Sequence, residues 1–418
     1  MYDAIIIGAR CGGSPLAMLL ARAGLNVLLV DRMRFGSDIV STHFLKRTGA
    51  SLLQKWGLLD AIRGLQTPEI RKLTFNLDGV SMNGVAPAYD GVDAEFTPRR
   101  FYLDKILVDA AIEAGAEARE KFHVNKLIFD NNRVVGIVGK DENGRTVTER
   151  ARIVVGADGI NSFVAKEVKA EFFIDAGTYN SGFYAYYSGM PGRRDAVTLY
   201  VRSQQRLAYI TFPTNDALDV VFLFWPSAEA DIVRADLEKA FGNSLRAVPE
   251  LETRVSAANR ESPFAGTHRL ANFFRFAHGP GWALVGDAAL HRDPITAEGI
   301  SNAFCHAEIL ADELIRAFNE HSSTLDEATA SYDRRQFKRL KPMFDYTVHQ
   351  AIIRPSTPQS LARFSEAAAD PDLSNRFLGA FIGSVPLNVA FKNEVLQGFT
   401  ARVQQANDER QDRKLKTP

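Results

Sequence analysis

Only two of the 418 residues are cysteine, Cys11 and Cys305. Two thiols are too few for a disulfide framework and show no metal-ligand spacing, so reduced, buried thiols in a cytoplasmic protein are expected. An excess of charge of one sign is also missing. Lys plus Arg and Asp plus Glu each number 50, and the formal net charge is zero. Nucleic-acid binders show a basic excess, so that partner class is argued against. Long apolar runs are absent too. None approaches the roughly 20 residues of a membrane span, and the first apolar stretch is broken by Gly and Arg, so neither a transmembrane segment nor a signal peptide is expected. There is no internal repeat and no low-complexity segment. What is present is 46% apolar residues, enough for one large domain or two interleaved ones.

Residues 4–32 read AIIIGARCGGSPLAMLLARAGLNVLLVDR. Ala4 to Ile7 and Asn26 to Val30 are continuous apolar runs, the pattern of buried parallel strands, with a helix from Pro15 to Ala23 between them. Thr48 to Ile62 reads as one helix, Arg71 to Thr97 as short strands, and Phe101 to Ala114 as an amphipathic helix stopped by Gly115. Glu117 to Arg150 reads as a β-meander turning at DNNR and DENGR. Arg152 to Val155 and Trp282 to Val285 return to buried strands. Between them, Phe172 to Phe224 alternates apolar and polar residues, as in an antiparallel sheet with one covered face. Long helical patterns run from about Ile300 to Gln350, and the tail reads as helical or frayed. The parallel-strand signals bracket the antiparallel sheet, so the expected α/β fold has a nucleotide domain that is discontinuous in sequence. Its expected parts are 1–70, 99–170 and 270–345. Residues 71–98 and 171–269 would form a substrate domain, and 346–418 a helical C-terminal segment.

The glycine turn carries the first functional signal. A phosphate needs backbone N–H groups that approach closely at a helix N-terminus. In the pattern G-x-G-x-x-G, Gly8 and Gly13 hold the first and third positions, and Arg10 stands where the second glycine belongs. Gly8 makes the tight turn; Gly12 and Gly13 clear space where the helix packs on the strand. Asp31, at the end of the second strand, is placed to take two hydrogen bonds from a ribose diol. Arg10 does not forbid the site. Its side chain is expected over the phosphates or along the rim of the cofactor, the alternative being a solvated arginine that covers the turn.

Two later stretches add specificity. VVGADGINSFVA places Asp158-Gly159 between a strand and a helix, and WALVGDAALHRDPITAEGISNAF places Gly286-Asp287 after a strand, then Asp293-Pro294, then a helix start near Gly299. With the opening turn, these motifs resemble the FAD-dependent aromatic hydroxylase superfamily that includes para-hydroxybenzoate hydroxylase, in a subgroup with a GARC turn. Geranylgeranyl reductases and flavin-dependent halogenases are its relatives. The resemblance covers roughly residues 1 to 345. It implies a Rossmann-like domain that binds FAD non-covalently, since neither Cys11 nor His43 is placed at the flavin methyl edge, with NAD(P)H as co-substrate. Asp287 would meet the ribityl hydroxyls, or the pyrophosphate through water. The N–H groups around Ala297, Gly299 and Ile300 would face the flavin N1 and O2 edge, where a helix N-terminus raises the reduction potential. Arg100 would stand near the cofactor at the head of a helix, Val124 would contact adenine through its backbone, and Arg32 would flank it. Three positions depart from the pattern: Arg10, Ala165 at the end of the Asp-Gly motif, and Ala297. The paired-tryptophan signature of the halogenases is absent; FLFWPS supplies Trp225 and Pro226 but not that pattern.

The resemblance further implies hydroxylation of a hydrophobic, aromatic small molecule through a flavin C4a-hydroperoxide. The cofactor carries the hard chemistry, so no nucleophile–His–Asp set and no metal cluster is expected. The protein would exclude water, orient the substrate and supply a proton. Tyr184, Tyr186, Phe212, Phe222, Phe224 and Trp225 are the candidate substrate-facing residues, although alternation along the strands must turn about half of the sheet's aromatics the other way. His43 is the candidate catalytic residue, as a donor or as a holder of a substrate oxygen; a purely structural histidine is the alternative. Reduction of isoprenoid double bonds, as in the geranylgeranyl reductases, is the competing activity, and a FAD protein without catalysis the third reading.

Overall fold

The computed structural model describes residues 1–37, 41–320 and 324–416. Strand Tyr2–Ile7 is buried almost throughout and pairs in parallel on both sides, with Ile5 opposite Leu28 and Val154. Such a strand has no solvent face, which is why its sequence is continuously apolar. The sheet order is His278–Gly279, Trp282–Leu284, Thr146–Gly156, Tyr2–Ile7, Val27–Val30 and Glu117–Arg119. Thr146–Gly156 serves two ladders. Its first half pairs antiparallel with Arg133–Lys140, and its second half runs parallel beside the first strand. Helix Gly13–Arg22 packs against Arg100–Glu113 and Gly299–Glu320. The motif-bearing ends of the parallel strands therefore converge on one edge of this layer, the place where open α/β sheets bind ligands.

A second sheet orders Asn259–Arg260, Asn180–Ser188, Leu218–Pro226, Leu207–Pro213, Ala196–Arg202, Lys72–Leu77 and Val80–Gly84. It is antiparallel except for one parallel junction, between Ala196–Arg202 and Lys72–Leu77. Phe172–Thr178 is not part of it but lies in a separate three-stranded sheet with Ala271–Arg275 and Leu290–His291. Glu117–Arg119 likewise leaves the meander and extends the parallel sheet. The helix expected over 48–62 is two helices, Arg47–Trp56 and Leu59–Gly64, because Gly57 takes a left-handed φ of +78° and ends the first. The C-terminal segment forms Pro358–Ala369, Pro371–Phe381, Leu387–Ala390 and Asn393–Lys416. Leu378 and Ile382 of this segment pack into the apolar cluster on the inner face of the second sheet. Among the described residues no helix is long and apolar enough to cross a membrane. Cys11 and Cys305 are free and buried.

Candidate functional site

The first strand ends in a turn at Gly8, whose φ is +107°. A Cβ on Gly8 would stand 2.3 Å from the Ala157 carbonyl oxygen, and one on Gly13 would stand 1.8 Å from the Gly8 carbonyl oxygen. Neither position admits a side chain. Gly12 is less constrained, with a virtual Cβ 3.3 Å from Val285. The turn thus brings together the strands that carry Asp158 and Asp287. Helix Gly13–Arg22 starts at once; Ser14 N–H donates to the Arg10 carbonyl at 2.9 Å, and no side chain of the cap residue closes the first turn. Asp31 accepts from the Ala9 and Met33 N–H groups, each at 2.8 Å, which locks the second strand's end to the turn. Phe122 N–H donates to the Asp31 carbonyl, so strand His123–Asp130, which carries Val124, starts beside the same loop, while Arg32 is exposed on it.

Arg10 is neither loose in solvent nor alone. It donates to the Ser37 hydroxyl at 3.0 Å and to Asp104 at 3.3 Å. It lines a narrow cleft with Ala9, Asp31, Ser37 and Asp104. Asp104 is held from its other side by Arg100, four residues earlier on the same helix, at 2.9 Å. Arg100 is buried, and the negative charges of Asp104 and Asp287 hold its guanidinium above its usual range against the opposing effect of burial. Asp104 was not among the sequence candidates. Its signal was the (i, i+4) spacing from Arg100.

The two acidic motif residues differ. Asp158 Oδ2 accepts from the Phe163 and Val164 N–H groups at 2.7 and 3.2 Å, capping helix Phe163–Glu167. Its Oδ1 is buried with no partner, and burial pushes the carboxyl up. Asp287 is half-buried and its carboxylate takes no hydrogen bond from the described residues. It is presented by Gly286, whose N–H donates to His306 Nδ1 at 2.8 Å. Beyond it, buried Asp293 accepts from Ile295 N–H at 3.0 Å and Asn180 Nδ2 at 2.8 Å, and burial pushes its carboxyl up to about 7. Ala297 then takes a left-handed φ of +52°, and helix Gly299–Glu320 begins. Gly299 is exposed, and nothing stands within 4 Å of where its Cβ would be. A tight glycine turn, an unpartnered carboxylate and an open helix start along one edge fit a dinucleotide. FAD would be held by the Gly8–Gly13 turn, Asp31, Asp287 and the amides from Ala297 to Ile300. Among the described residues no group of three or more His, Cys, Asp or Glu could hold a metal ion.

The second set of candidates meets this edge. Tyr184, Phe212, Phe222 and Phe224 share one apolar cluster with Phe44, Ile295 and Ala297, and Tyr186 packs against it. Tyr184 stacks on Phe222 at 5.7 Å, and Phe44 meets Phe212 edge-on at 5.6 Å. Trp225 is a correction. It follows Phe224 on a pleated strand and so points to the opposite face, where it packs on Phe183 and Phe241 and donates to Ser244 Oγ at 2.9 Å. His43, at φ +55°, is fully buried and stands 2.6 Å from the Tyr186 hydroxyl through Nε2. Its Nδ1 is buried without a partner. Burial, reinforced by Arg100 and Arg99, pushes the imidazole down to about 3, so it is neutral at ordinary pH.

Known proteins resemble this chain in sequence and in fold. Residues 1–342 match the family described as FAD binding domain. Digeranylgeranylglycerophospholipid reductase 2 of Methanopyrus kandleri is 26% identical over 386 residues, covering 84% of this chain and 85% of the relative. Squalene epoxidase of Candida albicans is 25% identical over 372 residues, covering 77% and 74%. The structure of the flavin-dependent brominase Bmp2 shares the fold at a TM-score of 0.78 and 19% identity, over 99% of each chain. Pseudomonas aeruginosa PqsL, solved in complex with 2-aminobenzoylacetate, shares it at 0.73 and 22%, over 84% of this chain and 98% of that one. The chain belongs to the FAD binding domain family and is an FAD-dependent oxidoreductase.

Proposed function

We propose that the protein is an NAD(P)H-dependent FAD monooxygenase that hydroxylates a hydrophobic, aromatic small molecule. The observation that carries this reading is the aromatic inner face of the second sheet, which closes onto Ile295 and Ala297 at the flavin-facing turn and holds one polar pair, His43 and Tyr186. FAD, once reduced, supplies the activation of O2. The chain's residues do the rest. Tyr184, Phe212, Phe222 and Phe224 form an apolar face that would exclude water and pack against a planar ring. Among the described residues, His43 Nδ1 is a buried polar atom without a partner at this face. Its partner nitrogen is fixed by Tyr186, so Nδ1 is oriented to hydrogen-bond an oxygen of the substrate. Because the imidazole is uncharged, His43 acts by holding and aligning the substrate rather than as an imidazolium acid.

Reduction of isoprenoid double bonds is the second reading, supported by the resemblance to the Methanopyrus reductase. The same apolar face would hold a prenyl chain. Oxygen separates the two. A phenol or polyketide-like aromatic that accelerates NADPH oxidation and O2 uptake together supports hydroxylation. Saturation of a prenyl substrate by the dithionite-reduced protein under anaerobic conditions, with no substrate-stimulated O2 uptake, supports reduction and overturns the first reading.

A further inference from the structure

Behind the flavin-facing turn lies a set of buried charges that neither cofactor binding nor substrate contact explains. Lys46 Nζ, on a side chain 1% exposed, ion-pairs with Glu298 Oε1 at 2.6 Å and donates to the Phe381 carbonyl at 2.6 Å. Glu298 sits between Ala297 and Gly299. Its other oxygen faces Arg292 Nη2 at 3.5 Å, and that same nitrogen donates to Asn302 Oδ1 at 2.6 Å. Arg292 Nε and Nη1 are buried with no partner. The trio holds two cationic side chains and one carboxylate, and the charge of Asp287 acts on Arg292 as well. Arg47 and Glu95, paired at 2.8 Å beside it, add no net charge while Glu95 is ionised.

Burying three ions is expensive, and well-packed apolar side chains in their place would be as stable or more so. The position of the trio gives the reason for it. Lys46 follows directly on His43, Phe44 and Leu45, so one ammonium joins the histidine loop, the turn before helix Gly299–Glu320 and the end of helix Pro371–Phe381. We infer that Lys46, with Arg292, is a positioning residue that fixes the Glu298 turn from behind, and that its ammonium contributes positive charge there that favours the reduced, negatively charged flavin. This rests on the flavin lying against the Ala297–Ile300 amides. A buried charge is weakly screened and adds to the field of the helix N-terminus.

The test is the midpoint potential of bound FAD in the purified holoprotein, measured by equilibration with a reference dye. Lys46→Met should shift the two-electron equilibrium at least tenfold toward oxidised FAD, about 30 mV. Glu298→Gln should shift it the other way, and Lys46→Arg should leave it within threefold of the parent. Lys46→Met combined with Glu298→Gln removes one charge of each sign and should return the potential to near the parent value. This variant keeps the question open to measurement if Lys46→Met alone folds poorly. Potentials that stay within threefold in Lys46→Met and Glu298→Gln, or that move in the same direction in both, overturn the inference while leaving the flavin site standing. A parent protein that binds no FAD overturns the site itself.

Discussion

Asp287 and Asp158 are both motif carboxylates, yet the structure gives them different work. Asp287 takes no hydrogen bond from the described residues, whereas Asp158 caps a helix through two backbone amides. Asp287→Ala should therefore leave the apoprotein's melting temperature nearly unchanged and weaken FAD by at least tenfold, since charge-assisted bonds of this kind are each worth about 1.5–3 kcal/mol. Asp158→Ala should do the reverse, costing about 1 kcal/mol of stability and less affinity. Titrating the two apoproteins with FAD checks this, and equal affinities would contradict it. Arg10→Gly restores the common glycine pattern while cutting the ties to Ser37 and Asp104. A fall in FAD affinity beyond about tenfold, near 1.4 kcal/mol, is expected, because Arg10 braces the cleft beside Asp31 and its charge would lie next to a dianionic pyrophosphate. Unchanged affinity and turnover would reduce Arg10 to a surface brace. For His43, burial lowers the imidazole to about 3. The kcat/KM profile should accordingly show no limb near 6.5 that disappears in His43→Asn; such a limb would show that the residue titrates.

Secondary elements and their motifs were legible because their signals are local. Continuous apolar runs marked the buried parallel strands, and Gly8, Asp158 and Asp287 marked the strand ends that the fold brings to one edge. Gly57 was a readable stop inside the expected 48–62 helix. The orientation of Trp225 was not readable, since alternation fixes which residues share a face but not which face meets the flavin edge. The tie from Lys46 to Glu298 and Phe381 joins residues 252 and 335 positions apart, and no periodicity reports such a link. Steric demand at the turn gives a prediction at this scale. Gly13→Ala would drive a Cβ to 1.8 Å from the Gly8 carbonyl, while Gly12→Ala meets only a methyl at 3.3 Å. The strand–turn–helix unit must open in the first case. Gly13→Ala should destabilise the apoprotein by about 1–3 kcal/mol or prevent folding, and Gly12→Ala by clearly less. Comparable melting temperatures for the two would show that the turn is more plastic than its geometry.

Stability of the whole molecule reads out buried titratable groups in several layers at once. His43, at the aromatic face, and His306, behind the Gly286 turn, are both lowered to about 3 by burial. Their unfolded forms take up protons near pH 6.5 while the folded forms stay neutral, so these two groups cost stability as pH falls from 6.5 toward 3. Glu95 and Asp293 run the opposite way. Burial raises each to about 7, so the folded state keeps protons that the unfolded chain has lost, and their contribution falls as pH rises from about 4.5 to 7. Between about pH 4.5 and 6.5 two protons bound by unfolded histidines oppose two held by folded carboxyls, and the four groups nearly cancel. Below about pH 4 the unfolded carboxyls are protonated as well, and the histidines act alone with a slope of about 2.7 kcal/mol per pH unit. Urea midpoints of the apoprotein should therefore change little from pH 6.5 to 4.5 and drop steeply below 4. His306→Gln should lower that acid slope by about half, because it removes one of the two protons. A steady fall beginning at pH 6.5 would mean that Glu95 and Asp293 are already ionised in the folded protein.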